Sequence, residues 1–142
     1  MVRAVILALL SATLCVACGD DTPTSPSTTT DPSRFSEVFG GTLVVGQSQF
    51  YSFSVGAAGA TEVTLLSLRP AGVATTTLST VVGLGLGTPE MTDCSLRSAT
   101  TTAPALARQL TVTTEPSIYC VKIADVGFLS GAVDYTIRVL HP

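Results

Sequence analysis

The chain has 142 residues, with 7 Lys/Arg against 10 Asp/Glu, one His, four Cys and no Trp. A net charge of −3 leaves no basic surface for nucleic acid, and one histidine is too few for a zinc site built on several Cys and His ligands. Apolar residues make up 46% of the chain, enough to give one domain a single buried core.

Met1-Val2-Arg3 supplies one positive charge. Ala4 to Leu10 is an unbroken apolar run, and Ser11 to Ala17 adds mostly small or apolar residues. A basic start, a short apolar core and small residues at a cleavage point are the anatomy of a secretory signal, predicted over 1–17. Asp20-Asp21 end the run before the ~20 apolar residues that a membrane span requires. Cys15 and Ala17 are small enough for ordinary cleavage before Cys18. The same bond is cut in lipoprotein processing, and Val16-Ala17-Cys18 resembles the end of the bacterial lipobox, with Cys15 where leucine is usual. That resemblance implies a lipidated Cys18 that tethers the mature chain to a membrane. Each buried methylene adds about 0.8 kcal/mol, and two or more acyl chains anchor stably. Gly19 rather than Asp after Cys18 implies, by resemblance to Gram-negative sorting, the outer membrane.

Residues 18–34 follow as a linker. Gly19 to Ser33 reads GDDTPTSPSTTTDPS and holds no apolar residue to bury, so it is expected to stay disordered and extended. At about 3.1 Å per residue it carries the next domain up to roughly 45 Å from Cys18.

From Phe35 to Pro142 short alternating segments are separated by turn residues. Ser36–Phe39 precedes Gly40-Gly41 and Thr42–Val45. Gln49–Val55 places Tyr51, Phe53 and Val55 on one face. Thr61–Leu68 turns Val63 and Leu65 inward and stops at Arg69-Pro70-Ala71-Gly72. A long strand is expected over Thr76–Leu86, with a turn at Thr88-Pro89-Glu90. Leu106–Thr113 is a weaker strand. Ser117–Ala124 turns Tyr119, Val121 and Ile123 inward and Cys120 and Lys122 outward. Val133–Leu140 turns Val133, Tyr135, Ile137 and Val139 inward. Seven or eight short strands with half-polar alternation predict an all-β, antiparallel β-sandwich.

Gln49-Phe50-Tyr51-Ser52-Phe53-Ser54-Val55, Val63-Thr64-Leu65 closing at Leu68-Arg69-Pro70, and the endings Ile118–Ile123 and Tyr135–Val139 resemble the bacterial pre-peptidase C-terminal domain. The resemblance covers most of residues 35–142 and implies a small jelly-roll-like sandwich of an exported protein. No peptidase domain precedes it in this sequence.

Cleavage before Cys18 removes Cys15 and leaves Cys18, Cys94 and Cys120, an odd number for an exported chain. Lipidating Cys18 resolves the count and leaves Cys94 and Cys120 as a natural disulfide pair, two free thiols being the alternative. The bridge is expected to pin Thr92–Arg97 across a sheet surface.

No catalytic constellation stands out. His141 lies next to the last residue given, where side chains usually fray. Asp125 and Asp134 flank the last hairpin, but no D-x-D-x-D-G run supports calcium, so the expectation is solvated turn carboxylates and no bound metal or cofactor. Gly83-Leu84-Gly85-Leu86-Gly87 precedes Thr88-Pro89 rather than a helix. Its glycines therefore suit close approach of another chain segment, not a phosphate loop. Phe50 and Phe128 fall outside the inward faces and are candidate surface-binding residues, for an envelope protein or a glycan; covering a sandwich edge is the plainer role. The expected function is a membrane-anchored envelope lipoprotein with a non-catalytic binding or structural module. A secreted carbohydrate- or matrix-binding domain and an unrecognised hydrolase are the alternatives.

Overall fold

The computed structural model describes residues 33–142. The leader, Cys18 and nearly all of the linker lie outside these residues. Eight strands follow one another: β1 (Phe35–Leu43), β2 (Ser48–Val55), β3 (Gly59–Pro70), β4 (Val82–Glu90), β5 (Asp93–Thr102), β6 (Leu110–Thr114), β7 (Ser117–Ala124) and β8 (Val133–His141). They form two antiparallel sheets of four, ordered β1-β8-β3-β6 and β2-β7-β4-β5. All-β, with no helix among the described residues, this is the expected β-sandwich, and the strand order is that of an eight-stranded jelly roll.

The alternation in sequence explains the layers. Along β8, Val133, Tyr135, Ile137, Val139 and His141 are buried, and the residues between them are half-exposed. With a side-chain period of two, that pattern fits a strand with one face on a core and one toward solvent. Leu43, Phe53, Val63, Leu65, Leu84, Leu86, Val121, Ile123, Ile137 and Val139 fill the space between the sheets. Each fully buried aliphatic side chain contributes about 1.5–3 kcal/mol relative to exposure, so the inner faces hold the sheets together.

Several sequence expectations are corrected. Thr76–Val81 is not strand; β4 begins at Val82. Leu78 N–H donates to the Leu68 carbonyl at 2.8 Å, and the chain then crosses from one sheet to the other, a step of about 10 Å. Thr88-Pro89-Glu90 does not turn; it is the end of β4, and the turn is Met91-Thr92, with Met91 at φ 42° in the left-handed region such two-residue turns require. Pro89 is tolerated because β4 pairs with β7 only as far as Gly87–Cys120, so Pro89 sits where β4 has no second neighbour. The segment expected to be pinned across a sheet surface, Thr92–Arg97, is instead part of the sheet from Asp93 on, where β5 begins as an edge strand the sequence did not reveal. The weak strand begins at Leu110 rather than Leu106. Gly40-Gly41 does not interrupt the first segment, which runs as one strand paired residue for residue with β8.

The register also sets two poles. The β1–β2, β3–β4, β5–β6 and β7–β8 connections all leave the sandwich toward one pole, the loop end. The start of β1 at Phe35 pairs with His141 at the other, so the chain enters the domain opposite the loop end. A nine-residue strand separates the two poles by about 30 Å.

Candidate interaction surface

Exposed apolar side chains recur on the connections at the loop end: Val44 and Val45 on β1–β2, Val73 on β3–β4, Leu106 on β5–β6, and Val126 and Phe128 on β7–β8. Two carboxylates brace these loops. Asp125 Oδ2 accepts the Gly46 N–H at 2.8 Å. Its Oδ1 accepts those of Gly127, Phe128 and Leu129 at 2.8, 3.2 and 3.3 Å. Asp134 Oδ1 accepts the Thr42 hydroxyl at 2.6 Å and Oδ2 the Gly72 N–H at 2.9 Å. These bonds hold both carboxyls below the usual aspartate range: Asp125 chiefly through Gly46, Asp134 chiefly through Thr42. Asp125 and Asp134 therefore organise the turns, rather than standing as free solvated carboxylates. Among the described residues, no three His, Cys, Asp or Glu side chains come together as metal ligands.

Phe128 is 63% exposed and borders a recess of about 180 Å³, walled by Leu78, Thr80, Leu129, Ala132 and Val133. Thr80 Oγ1 donates to the Phe128 carbonyl at 3.3 Å, which ties the two loops that form the recess. Phe50 lies elsewhere. It is half-buried on β2, opposite Lys122, and lines neither this recess nor the groove described next. The two candidate aromatics thus do not form one platform.

A groove of about 410 Å³ crosses the outer face of the β2-β7-β4-β5 sheet. Gly83 and Gly85 of β4 form its floor, Leu96, Ala99 and Thr101 of β5 one wall, and Lys122 and Ala124 the other. The glycines allow close approach, as their sequence context suggested: a Cβ on Gly85 would lie 2.8 Å from the Leu96 side chain, and one on Gly83 3.0 Å from Val126. Lys122 Nζ donates to Asp93 Oδ1 at 2.6 Å, which neutralises the one cation on the rim.

At the opposite pole His141 is not frayed. It is 3% exposed, packed against Phe53 at 5.3 Å and Phe35 at 5.9 Å between ring centroids. Nε2 lies 3.0 Å from Glu37 Oε1 and Nδ1 3.1 Å from the Pro142 carbonyl. Strand pairing to Phe35 fixes the ring, which overrides the fraying expected of its position. Ser36 and Ser54 line the neighbouring depression, but the ring nitrogens of His141 lie against Glu37 Oε1 and the Pro142 oxygen, so neither of these serines is its partner.

Cys94 and Cys120 form the expected disulfide, with Cα atoms 5.9 Å apart. Cys120 points to the outer face of its strand, yet both cysteines are buried, because the β4–β5 hairpin folds over β7 there.

Sequence reasoning missed the loop-end valines. Val-Val-Gly at 44–46 and Val-Gly-Phe at 126–128 place apolar residues beside left-handed glycines, Gly46 at φ 72° and Gly127 at φ 94°. Apolar side chains on a turn rather than a strand were the available signal. No protein-family model matches the chain, and no curated protein matches it.

Proposed function

We propose that this chain is an exported lipoprotein, tethered through Cys18 to a membrane of the cell envelope, whose sandwich is a non-catalytic binding or structural module. The observation that carries the reading is the Cys94–Cys120 bond. With those two thiols paired, cleavage before Cys18 leaves one cysteine over, and lipidation is the chemistry that uses it. The apolar leader, the lipobox-like Val16-Ala17-Cys18 and the polar stretch after it support the same reading. The resemblance to the pre-peptidase C-terminal domain belongs to it as well, since that resemblance implies a jelly-roll-like sandwich on exported proteins. Gly19 favours the outer membrane. The domain's loop end, opposite the entry of the chain at Phe35, is then the surface turned toward a partner.

Detergent phase partitioning of cell extracts tests the reading. The native chain is expected in the detergent phase and its Cys18→Ser variant in the aqueous phase. Identical aqueous behaviour of the two would remove the anchor.

A further inference from the structure

We propose that the outer face of the β1-β8-β3-β6 sheet rests on an anionic lipid headgroup surface, so that the tethered domain lies flat against the membrane. The inference rests on the tether through Cys18 and names the surface that the sandwich meets.

The fold sorts its charges. Of the six Lys/Arg after Arg3, four lie on this face: Arg34, Arg69, Arg108 and Arg138. Only two of the seven carboxylates of residues 35–142, Glu62 and Asp134, share it. Glu37 faces His141 at the entry pole, Glu115 lies in the β6–β7 turn, Asp125 braces the loop end, and Glu90 and Asp93 belong to the other sheet. The face thus carries two more cations than carboxylates, in a chain that is acidic overall. Arg138 stands across from Val38 and Thr64, and Arg69 across from Asp134. Arg34 reaches over β8 to Glu62 at 3.4 Å, and Arg108 meets the same carboxylate at 3.4 Å from the β5–β6 connection. Both Asp134 oxygens are taken, by Thr42 and Gly72. Among the described residues, Arg69 and Arg138 enter no ion pair. Three features favour headgroups over a soluble anion. The cations are spread along the strands: Arg69 and Arg138 stand four register steps apart along β8, about 13 Å, and Arg34 lies beyond them toward the entry pole. Such spacing suits a plane of headgroups rather than one bound phosphate. Val38, 62% exposed, projects beside Arg138 and offers an apolar side chain to the headgroup boundary. The third feature is magnitude. Each Lys/Arg near an anionic leaflet gains about fivefold, so an excess of two gives roughly thirtyfold. That is too little to capture a free partner, or nucleic acid with its many phosphate contacts. It is enough to set the orientation of a domain whose Arg34 directly ends a tether no longer than about 45 Å. Lying on this face leaves the loop end at the side and the groove of the other sheet turned away from the bilayer, both open to a partner.

Residues 18–142, coupled through the Cys18 thiol to a maleimide lipid in nanodiscs, test this whether or not cells lipidate that cysteine. Cys94 and Cys120 are bonded to each other and do not compete for the maleimide. A lipid with a nitroxide headgroup broadens the amide signals that come near the bilayer. In discs containing phosphatidylglycerol, the amides of Val38, Thr64 and Arg138 are expected to broaden at least roughly fivefold more than those of Gly85 and Leu96 on the other sheet. Discs of phosphatidylcholine alone, or high salt, abolish the difference. The Arg69→Gln/Arg138→Gln double variant removes the two unpaired cations and abolishes it too, and each single variant weakens it. Arg97→Gln makes the same charge change on the other sheet and leaves the difference intact. Equal broadening of both sheets in phosphatidylglycerol discs overturns the proposal, and so does a preference that survives in phosphatidylcholine or in the double variant. A face that turns to the bilayer only after Asp20, Asp21 and Asp31 are exchanged for Asn also overturns it, with the linker as its occupant. The tether itself stands or falls separately on phase partitioning of the native chain.

Discussion

Cys94 and Cys120 are joined past an intervening strand. Cys94 on β5 is in register with Pro89 of β4, Cys120 on β7 with Gly87 of β4, and the bond links β5 to β7. The bond therefore clamps the β4–β5 hairpin where β4 loses its pairing with β7. A closed loop of 26 residues separation corresponds to about 3.5 kcal/mol in the chain-entropy model. The Cys94→Ser/Cys120→Ser double variant is expected to lose stability of that order in urea unfolding. Both cysteines are almost inaccessible, at 3% and 0% exposure, so alkylation of the folded native chain labels neither until reductant and denaturant are combined.

The carboxylates give stability a defined pH dependence. Asp93, Asp125 and Asp134 all titrate below the usual aspartate range: Asp93 because of the Lys122 ammonium, Asp125 because of backbone N–H groups led by Gly46, and Asp134 because of the Thr42 hydroxyl. A carboxyl depressed in the folded state binds its proton more readily in the unfolded chain. Its contribution is complete above the ordinary value near pH 4 and is lost as pH falls through the lower, folded value. Unfolding midpoints are thus expected to be flat from pH 7 to about 5 and to fall below roughly pH 4. Asp125→Asn and Asp134→Asn each reduce that slope in a urea titration. An unchanged acid slope in both variants would show that other groups govern it.

Glycines divide sharply by surroundings. A Cβ on Gly87 would overlap the Ser95 carbonyl at the β4–β5 irregularity, where only backbone could yield. A Cβ on Gly41 would meet the Tyr51 hydroxyl at 2.8 Å and Gln49 Oε1 and the Tyr135 hydroxyl at 3.1 Å each. Those three groups form one bonded cluster, with Tyr51 and Tyr135 hydroxyls 2.8 Å apart and Tyr135 donating to Gln49 Oε1 at 2.7 Å. Burial and the Tyr51 hydroxyl push the Tyr135 hydroxyl well above the usual tyrosine range. Gly87→Ala and Gly41→Ala are expected to destabilise by about 1–3 kcal/mol or more, as overpacking does. Gly56→Ala, with nothing within 4 Å, is the control and changes the unfolding free energy little.

Gln109 substitutes for a strand neighbour. Its Oε1 accepts the Leu65 N–H at 2.8 Å, and its Nε2 donates to the Leu65 carbonyl at 3.3 Å, beside the β3 irregularity between Leu65 and Ser67. Gln109→Ala leaves the Leu65 N–H without that partner, while the Leu65 carbonyl still accepts the Ala105 N–H at 3.0 Å, and is expected to cost about 1–3 kcal/mol. Hydrogen exchange at the Leu65 amide rises with it. Unchanged protection there would show that the bond is dispensable.

Much of the fold was legible because β2, β7 and β8 each bury one face and wet the other, which writes period two into the sequence. β5 was hidden because Asp93–Thr102 is an edge strand whose side chains are mostly exposed, so polarity does not alternate along it. Thr76–Val81 misled in the opposite way: its β-branched residues suit a strand, yet the segment joins the two sheets and belongs to neither. The surface was less legible still. Phe128 could be named from its turn, but its recess requires Leu78 and Val133 to be adjacent, and only the sheet topology brings them together. His141 could not be rescued from its position in the chain without knowing that β1 pairs along the whole of β8.

Intact-mass measurement of the mature chain, purified from envelopes without reductant, decides whether Cys18 is its lipidated N-terminus. The expected chain begins at Cys18, heavier than its sequence by a diacylglyceryl group and an acyl chain and lighter by the two hydrogens of the Cys94–Cys120 bond. A chain beginning at Cys18 with no lipid increment, or one retaining residues 1–17, would contradict it.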